Sequence, residues 1–528
     1  MGTPEDSQHT LAPGRVGAAA VAFFALAATA PIVVLVHVVP TAYAAGGGPL
    51  VPLSFLAAGI VLILFSAGYA AMAHRAPFAG AMYTYVAKGL GRPGGVAAAW
   101  LAPVSYQVIQ LGLYGLTGAA AAPLLRAWFD VTAEWWMVAA ACWLIVALAG
   151  TIRVEIGSGI VALLVLVEIA VVTGFAAANA IDPSDGAIAP ATILPPDVDM
   201  SALGLLLSAG ILGFIGFETS GAYAEEAILP RRDAGRAAYG VVIAVSLLLA
   251  GGSWSLATAA GPSRIAALAR ERGDGLLFDL AAARLAPWAV TLGRLMLLTG
   301  LLAAMLALHH TIARYLFALG RERVLPAGLG RTSPRTWAPR NASLVQSLVA
   351  GVALLTAFVL GVSDVVALGR RLIVVGGLGV LVLLLATSLA ALLHLNQVPN
   401  GEGLWTRFAA PVLSIVALGV LGYLALRDVG TLLAVPGSSP VRWIVPAGIA
   451  GVAVLGVLHA LILRRIHPVV YAGIGQGGVP VVVTPPALPR PRPAPERPEA
   501  QATEHSEPGP EDHSPREPGA HRPERVNR

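Results

Sequence analysis

The chain has 528 residues, 56% hydrophobic and only 12% charged, with a formal net charge of +5. Soluble domains carry about 25% charged residues, so this composition excludes an ordinary soluble protein and indicates a polytopic membrane protein. The single cysteine, Cys142, excludes an intrachain disulfide and a cysteine-built metal site. Lys88 is the only lysine, an arginine bias that with the high alanine content reads as GC-rich coding rather than nucleic-acid binding.

Residues 1–16 form a polar N-terminal segment. The first apolar run leads into more membrane-type sequence rather than a cleavage site, so no cleavable signal is expected. Apolar runs near the spanning length of about 20 residues recur at 17–40, 49–73, 95–122, 134–150 and 157–179, followed by an acidic loop at 181–200. A second series lies at 202–224, 237–260, 288–318, 341–361 and 371–394, with two more runs at 407–426 and 441–463. The expected architecture is therefore an all-α polytopic protein of about twelve spans within residues 17–465. Residues 466–528 follow as a tail, and from about 485 it is rich in Pro, Arg and Glu and expected to be disordered. Even-numbered connections carry most of the arginine, including Arg75, Arg153, Arg231, Arg232, Arg236, Arg321 and Arg323, while the loop at 261–287 and the pair Arg370-Arg371 run against the trend. The balance places both termini in the cytoplasm of a cell-membrane protein.

Two spans carry helix-breaking sequence. Span one contains Ala27-Ala28-Thr29-Ala30-Pro31, small residues closed by a proline that removes an amide donor. Span six contains Gly210, Gly213 and Gly216 and ends in Glu218. Interrupted spans at the first position of two successive five-span blocks point to an inverted repeat with a shared site. A simple proline kink in span one, and a glycine-lined packing face in span six, are the alternatives.

Three passages carry a family resemblance. Gly213-Phe214-Ile215-Gly216-Phe217-Glu218 with Glu225-Glu226, Pro230-Arg231-Arg232 and Arg236-Ala237 resembles span six and the following loop of the amino acid–polyamine–organocation permeases. Gly68-Tyr69-Ala70, Pro77, Ala79-Gly80, Tyr83-Thr84-Tyr85 and Gly89-Leu90-Gly91 are similar to that family's second loop. Arg314-Tyr315-Leu316-Phe317-Ala318-Leu319-Gly320-Arg321, with Leu325-Pro326, is similar to the end of its span eight. The resemblance implies a five-plus-five inverted-repeat transporter, with substrate held at the broken spans one and six. Amides of span one would then meet a substrate carboxylate, and carbonyls of Leu212 and Ile215 its amine, with Gly213, Phe214, Gly216 and Phe217 around them. Span one departs from the Gly-Ser-Gly run common in relatives. The break is placed at Ala28, Thr29, Ala30 and Pro31, although alignment on Pro40 would move it to Val33–Leu35.

Charged groups in apolar spans are costly and usually functional. Glu218 and Glu168 are candidates for proton coupling or gating, each with a structural acid as the alternative. Histidine titrates near physiological pH, so His309 and His310 suit proton coupling better than sodium binding, with a satisfied structural residue as the alternative. Adjacent helical residues point about 100° apart, which suits metal chelation poorly. Tyr106, Gln107 and Gln110 place polar groups on span three, either toward a cavity or toward a neighbouring helix. Glu225, Glu226, Arg231, Arg232 and Arg321 are candidates for gate ion pairs, with charges that only solvate and orient the membrane boundary as the alternative. No nucleotide-binding loop, cofactor motif or paired catalytic acids are present, and no metal or cofactor is expected. The expected function is a secondary active permease for an amino acid or related amine, driven by protons. A polyamine carrier or an exchanger of the same fold is the alternative, and a channel or intramembrane enzyme fits less well.

Overall fold

The computed structural model describes residues 10–478 except 153, 185, 187, 189–191 and 193–199. The first nine residues of the N-terminal segment, most of the acidic loop at 181–200, and the tail from 479 lie outside the described residues. Among the described residues there is no β-strand, only an isolated parallel bridge between Val16 and Ala227. Among the described residues, eleven helical segments are long and apolar enough to cross a membrane, span one with its interruptions counted as one. Where a fourth span is expected stands a shorter helix, α6 (Trp135–Ala149, 15 residues). At 1.5 Å per residue it rises about 22 Å, short of a hydrocarbon core of about 30 Å.

Span one is three pieces: α1 (Ala18–Thr29), α2 (Pro31–His37) and α3 (Val39–Ala44). It is followed by α4 (Leu50–Arg75) and the 49-residue α5 (Ala81–Phe129). Gly91, at φ 81° and ψ 172°, interrupts α5. Its left-handed φ is open to glycine and costly for other residues. The stretch Ala81–Leu90, expected as loop, is therefore a separate helical arm leading into span three. Next come α7 (Val154–Ile181) and α8 (Met200–Leu212), which gives way to a 3₁₀ segment at Phe217–Tyr223. The chain continues through α9 (Asp233–Ala260), α10 (Ile265–Arg272), α11 (Leu276–Ala282), α12 (Pro287–Arg321), α13 (Arg340–Val359) and α14 (Val365–Gln397). It closes with α15 (Ala410–Arg427), α16 (Val429–Leu432), α17 (Val441–Ile466) and α18 (Pro468–Gly473).

The two interrupted spans sit at the centre. α1 packs on α7, α9, α12 and the 3₁₀ segment, α4 on α8 and α9, and α5 runs along α14. Small residues set that last approach: a Cβ on Gly112 would stand 2.5 Å from the Gly369 carbonyl oxygen. Lipid gives helices no hydrophobic reason to associate, so such close backbone contact supplies the packing energy instead.

Candidate functional site

The break in span one falls at Ala30, whose φ of 47° and ψ of 64° are left-handed. Pro31 is the cause: it lacks an amide and its ring disfavours the α-helical conformation for the residue before it. The span-six break covers Gly213–Gly216, with Gly216 at φ 122°. A Cβ on Gly216 would lie 2.5 Å from the carbonyl carbon of Ala28 and 2.6 Å from the Thr29 nitrogen. The two breaks therefore touch, backbone against backbone, and only glycine fits there. Gly210 plays the other role considered for this series, since it packs on the Ser54 carbonyl of α4.

A carboxylate stands behind each break. Glu218, fully buried, accepts from the Tyr106 hydroxyl at 2.8 Å and from the Gly216 amide at 3.0 and 3.2 Å. Tyr69 donates to the Glu218 backbone carbonyl at 2.6 Å. Glu168, on α7 and 3% exposed, accepts from the Ile32 amide at 3.0 Å, at the start of α2.

A cavity of about 200 Å³ begins at the breaks, where Ala28, Thr29, Ala30, Leu212, Gly213 and Ile215 line it. Val33, Val34, Ile109, Leu113, Ile373 and Val374 form its apolar wall, and His37, Ala45, Arg370 and Leu432 its end farthest from the N-terminal face. Pro31, Phe214, Gly216, Phe217, Tyr106 and Gln107 are not in the lining. Phe217 packs edge-on against Phe65, and Gln107 accepts from Gln346 of α13 at 3.2 Å. Gln110 also accepts from Gln346, at 2.5 Å, and donates to the Met305 carbonyl at 2.8 Å. The span-three amides thus join helices rather than face the cavity. Of the two expected carbonyl acceptors, Leu212 already accepts from the Ile215 amide at 3.3 Å, whereas the Ile215 carbonyl receives no donor among the described residues.

On the N-terminal side of the breaks the three motif passages converge into one polar layer. Arg314 and Glu226 are 1% and 2% exposed, with Nε 2.6 Å from Oε2. The guanidinium lies 4.3 Å above the Tyr223 ring, which stacks on Phe24. Arg321 forms a two-pronged pair with Glu225 at 2.9 and 2.5 Å, and Glu225 also accepts from the Ala79 amide. The Glu226 carbonyl takes the amides of Arg15 and Val16, stapling the start of the chain to this layer. Arg231 and Arg232 are exposed and make no ion pair among the described residues.

His309 pairs with Ser343 of α13 at 2.8 Å. His310 lies within the polar layer, 3.3 Å from Arg314 and tilted against Phe24. The spacing reading did not assign Arg314 a partner. The available signal was a cation inside the apolar run of span eight, which demands a buried counter-ion. A cluster at the far end of the cavity was also missed: Asp274 lies 3.0 Å from His37 Nδ1 and 2.7 Å from Arg370. Burial pushes the Asp274 carboxyl up, but His37 and Arg370 outweigh it and hold it below the usual range. No group of three or more His, Cys, Asp or Glu side chains among the described residues could hold a metal ion.

No curated protein matches the chain. The model of the amino acid permease family matches residues 20–461, the stretch that holds both broken helices, the cavity and the polar layer, and the chain belongs to that family of membrane transporters.

Proposed function

We propose that the chain is a proton-coupled secondary transporter, moving an amino acid or related amine across the plasma membrane by alternating access. Both termini face the cytoplasm in this reading, and residues 17–179 and 202–394 form the two repeats. The observation that carries it is the meeting of two broken spans at a cavity, with the buried layer of Arg314–Glu226 and Arg321–Glu225 on one side and the Asp274 cluster at its far end. Unwound backbone offers carbonyls to an ammonium group, and half-helix ends supply oriented dipoles. With the termini cytoplasmic, the layer of Arg314–Glu226 and Arg321–Glu225 is the inner gate in its closed state.

Glu218 is the coupling carboxylate in this scheme. It is buried at the span-six break and bonded to the break's own amide, Gly216 N, so a change in its charge acts directly on the geometry at the substrate. His309, bonded between α12 and α13, serves packing. Purified protein in proteoliposomes should accumulate substrate when a proton gradient is imposed. Glu218→Gln should abolish gradient-driven accumulation while retaining exchange of internal for external substrate. Uptake driven by a sodium gradient alone would refute the coupling, and equal loss of both activities would assign Glu218 to folding or binding.

A further inference from the structure

We propose that Glu168 sets the substrate class: it takes the amide at the span-one break that a substrate carboxylate would need. The cavity therefore selects an organic amine over the α-amino acid of the same side chain. This rests on the transporter reading and narrows its substrate.

A helix start leaves amides without intrahelical partners, and these are what a bound carboxylate would use. In α2 none is left. Pro31 has no N–H, Ile32 N donates to Glu168 Oε1 at 3.0 Å, and Val33 N and Val34 N both reach the Ala30 carbonyl at 3.0 and 3.2 Å. The seat for Glu168 is shaped on its other side too. A Cβ on Gly300 of α12 would stand 2.8 Å from Oε2, so glycine leaves the room the carboxylate occupies. At the span-six break the amides of Gly213, Phe214 and Ile215 turn back onto the carbonyls of Ala209, Ile211 and Leu212, and Gly216 N goes to Glu218.

Acceptors remain. The carbonyls of Thr29, Gly213 and Ile215 receive no hydrogen bond among the described residues, and all three residues line the cavity. An ammonium group has three donors and no acceptor, which matches that set, whereas a carboxylate matches none of it. Glu168, on the far side of the same turn, supplies from the protein the carboxylate that an amine lacks.

The cationic side chains of the lining do not restore a carboxylate site at the breaks. Arg370 and His37 both turn to Asp274. Arg370 lies seven residues before Gly377, which abuts Leu212, and that separation is about 10 Å along α14. The charged groups of an α-amino acid share one carbon and cannot bridge it. The apolar wall between the two ends suits a hydrocarbon body.

The test compares leucine with 3-methylbutylamine, the amine left when leucine loses its carboxylate, in proteoliposomes under a proton gradient. The wild-type protein should take the amine with a KM about 10-fold or more below that for leucine, the ratio set by a hydrogen bond to a charged group made or missed. Glu168→Ala frees Ile32 N and should cut that preference about 10-fold. Glu168→Gln, whose side-chain oxygen still accepts from Ile32 N, should keep it. A ratio of two KM values does not depend on how much protein is folded, and the wild-type arm stands without any variant. Transport with leucine preferred, or an unchanged ratio in Glu168→Ala, overturns the assignment to Glu168 and leaves the transporter reading intact. No movement of either compound, or of any amine or amino acid in a wider panel, overturns both.

Discussion

Replacing Glu226 with Gln keeps the shape of the polar layer and removes one charge from its most buried pair. The Arg314 guanidinium, 1% exposed and 2.6 Å from its partner, would then be an unpaired cation among apolar helices. Two unit charges about 4 Å apart attract by about 4 kcal/mol at an effective dielectric of 20, and breaking a buried pair from one side costs about 3–5 kcal/mol. Glu226→Gln should therefore lower stability by about 3–5 kcal/mol and favour opening of the layer. Adding Arg314→Met removes the stranded charge and should recover about half the loss, a non-additivity expected of contacting residues. The readouts are a denaturant midpoint in detergent and thiol labelling at Thr311→Cys in a Cys142→Ala background. Thr311 is fully buried one turn before Arg314, so an impermeant reagent from the N-terminal face reaches it only when the layer opens. A Glu226→Gln protein with wild-type stability and wild-type labelling would refute the assignment of this pair to the gate.

Gly216→Ala should abolish transport and cost at least about 1–3 kcal/mol in backbone strain, because both its φ of 122° and the Ala28–Thr29 peptide exclude a side chain; normal melting and uptake would count against contact between the breaks. Glu402, in the loop before α15, is held at a pKa of about 2 chiefly by its paired hydrogen bonds from Arg75, at 2.8 and 2.5 Å, against desolvation. Because the folded value lies below the ordinary 4.5, its stabilisation should be constant above about pH 5 and fade as pH falls from 4.5 toward 2. Glu402→Gln should cost about 1 kcal/mol at pH 7, with the difference in melting temperature shrinking on acidification. Glu322 binds the segment after α18 to the end of α12, accepting from the amides of Gly475 at 2.9 Å and Gly477 at 2.7 Å and from the Tyr83 hydroxyl. Glu322→Ala should release that segment and speed proteolytic cleavage near Gly475, whereas an unchanged cleavage rate would place its anchoring elsewhere, on the Ala472 carbonyl and Tyr471 ring that Arg92 engages.

Composition and hydropathy determined the fold class by themselves, because each spanning helix satisfies its own backbone and must be apolar along its length. Pro31 likewise located the span-one break, since its effect on Ala30 is local and needs no partner. The glycine series of span six was legible only in part. Gly213 and Gly216 lie in the break and Gly210 in a helix contact, a difference made by what stands opposite each one. Tertiary structure alone decided the pairs: Glu226 with Arg314 across 88 residues, Glu168 with Ile32 N across 136, and Glu218 with Tyr106 across 112. Sequence spacing carries no signal at such separations. A buried charge or amide announces that it needs a partner, but only the packing of helices says which one it has. The same limit applied to Gln107, whose place on span three was correct and whose direction, toward α13 rather than the cavity, depended on how α5 is rotated against its neighbours.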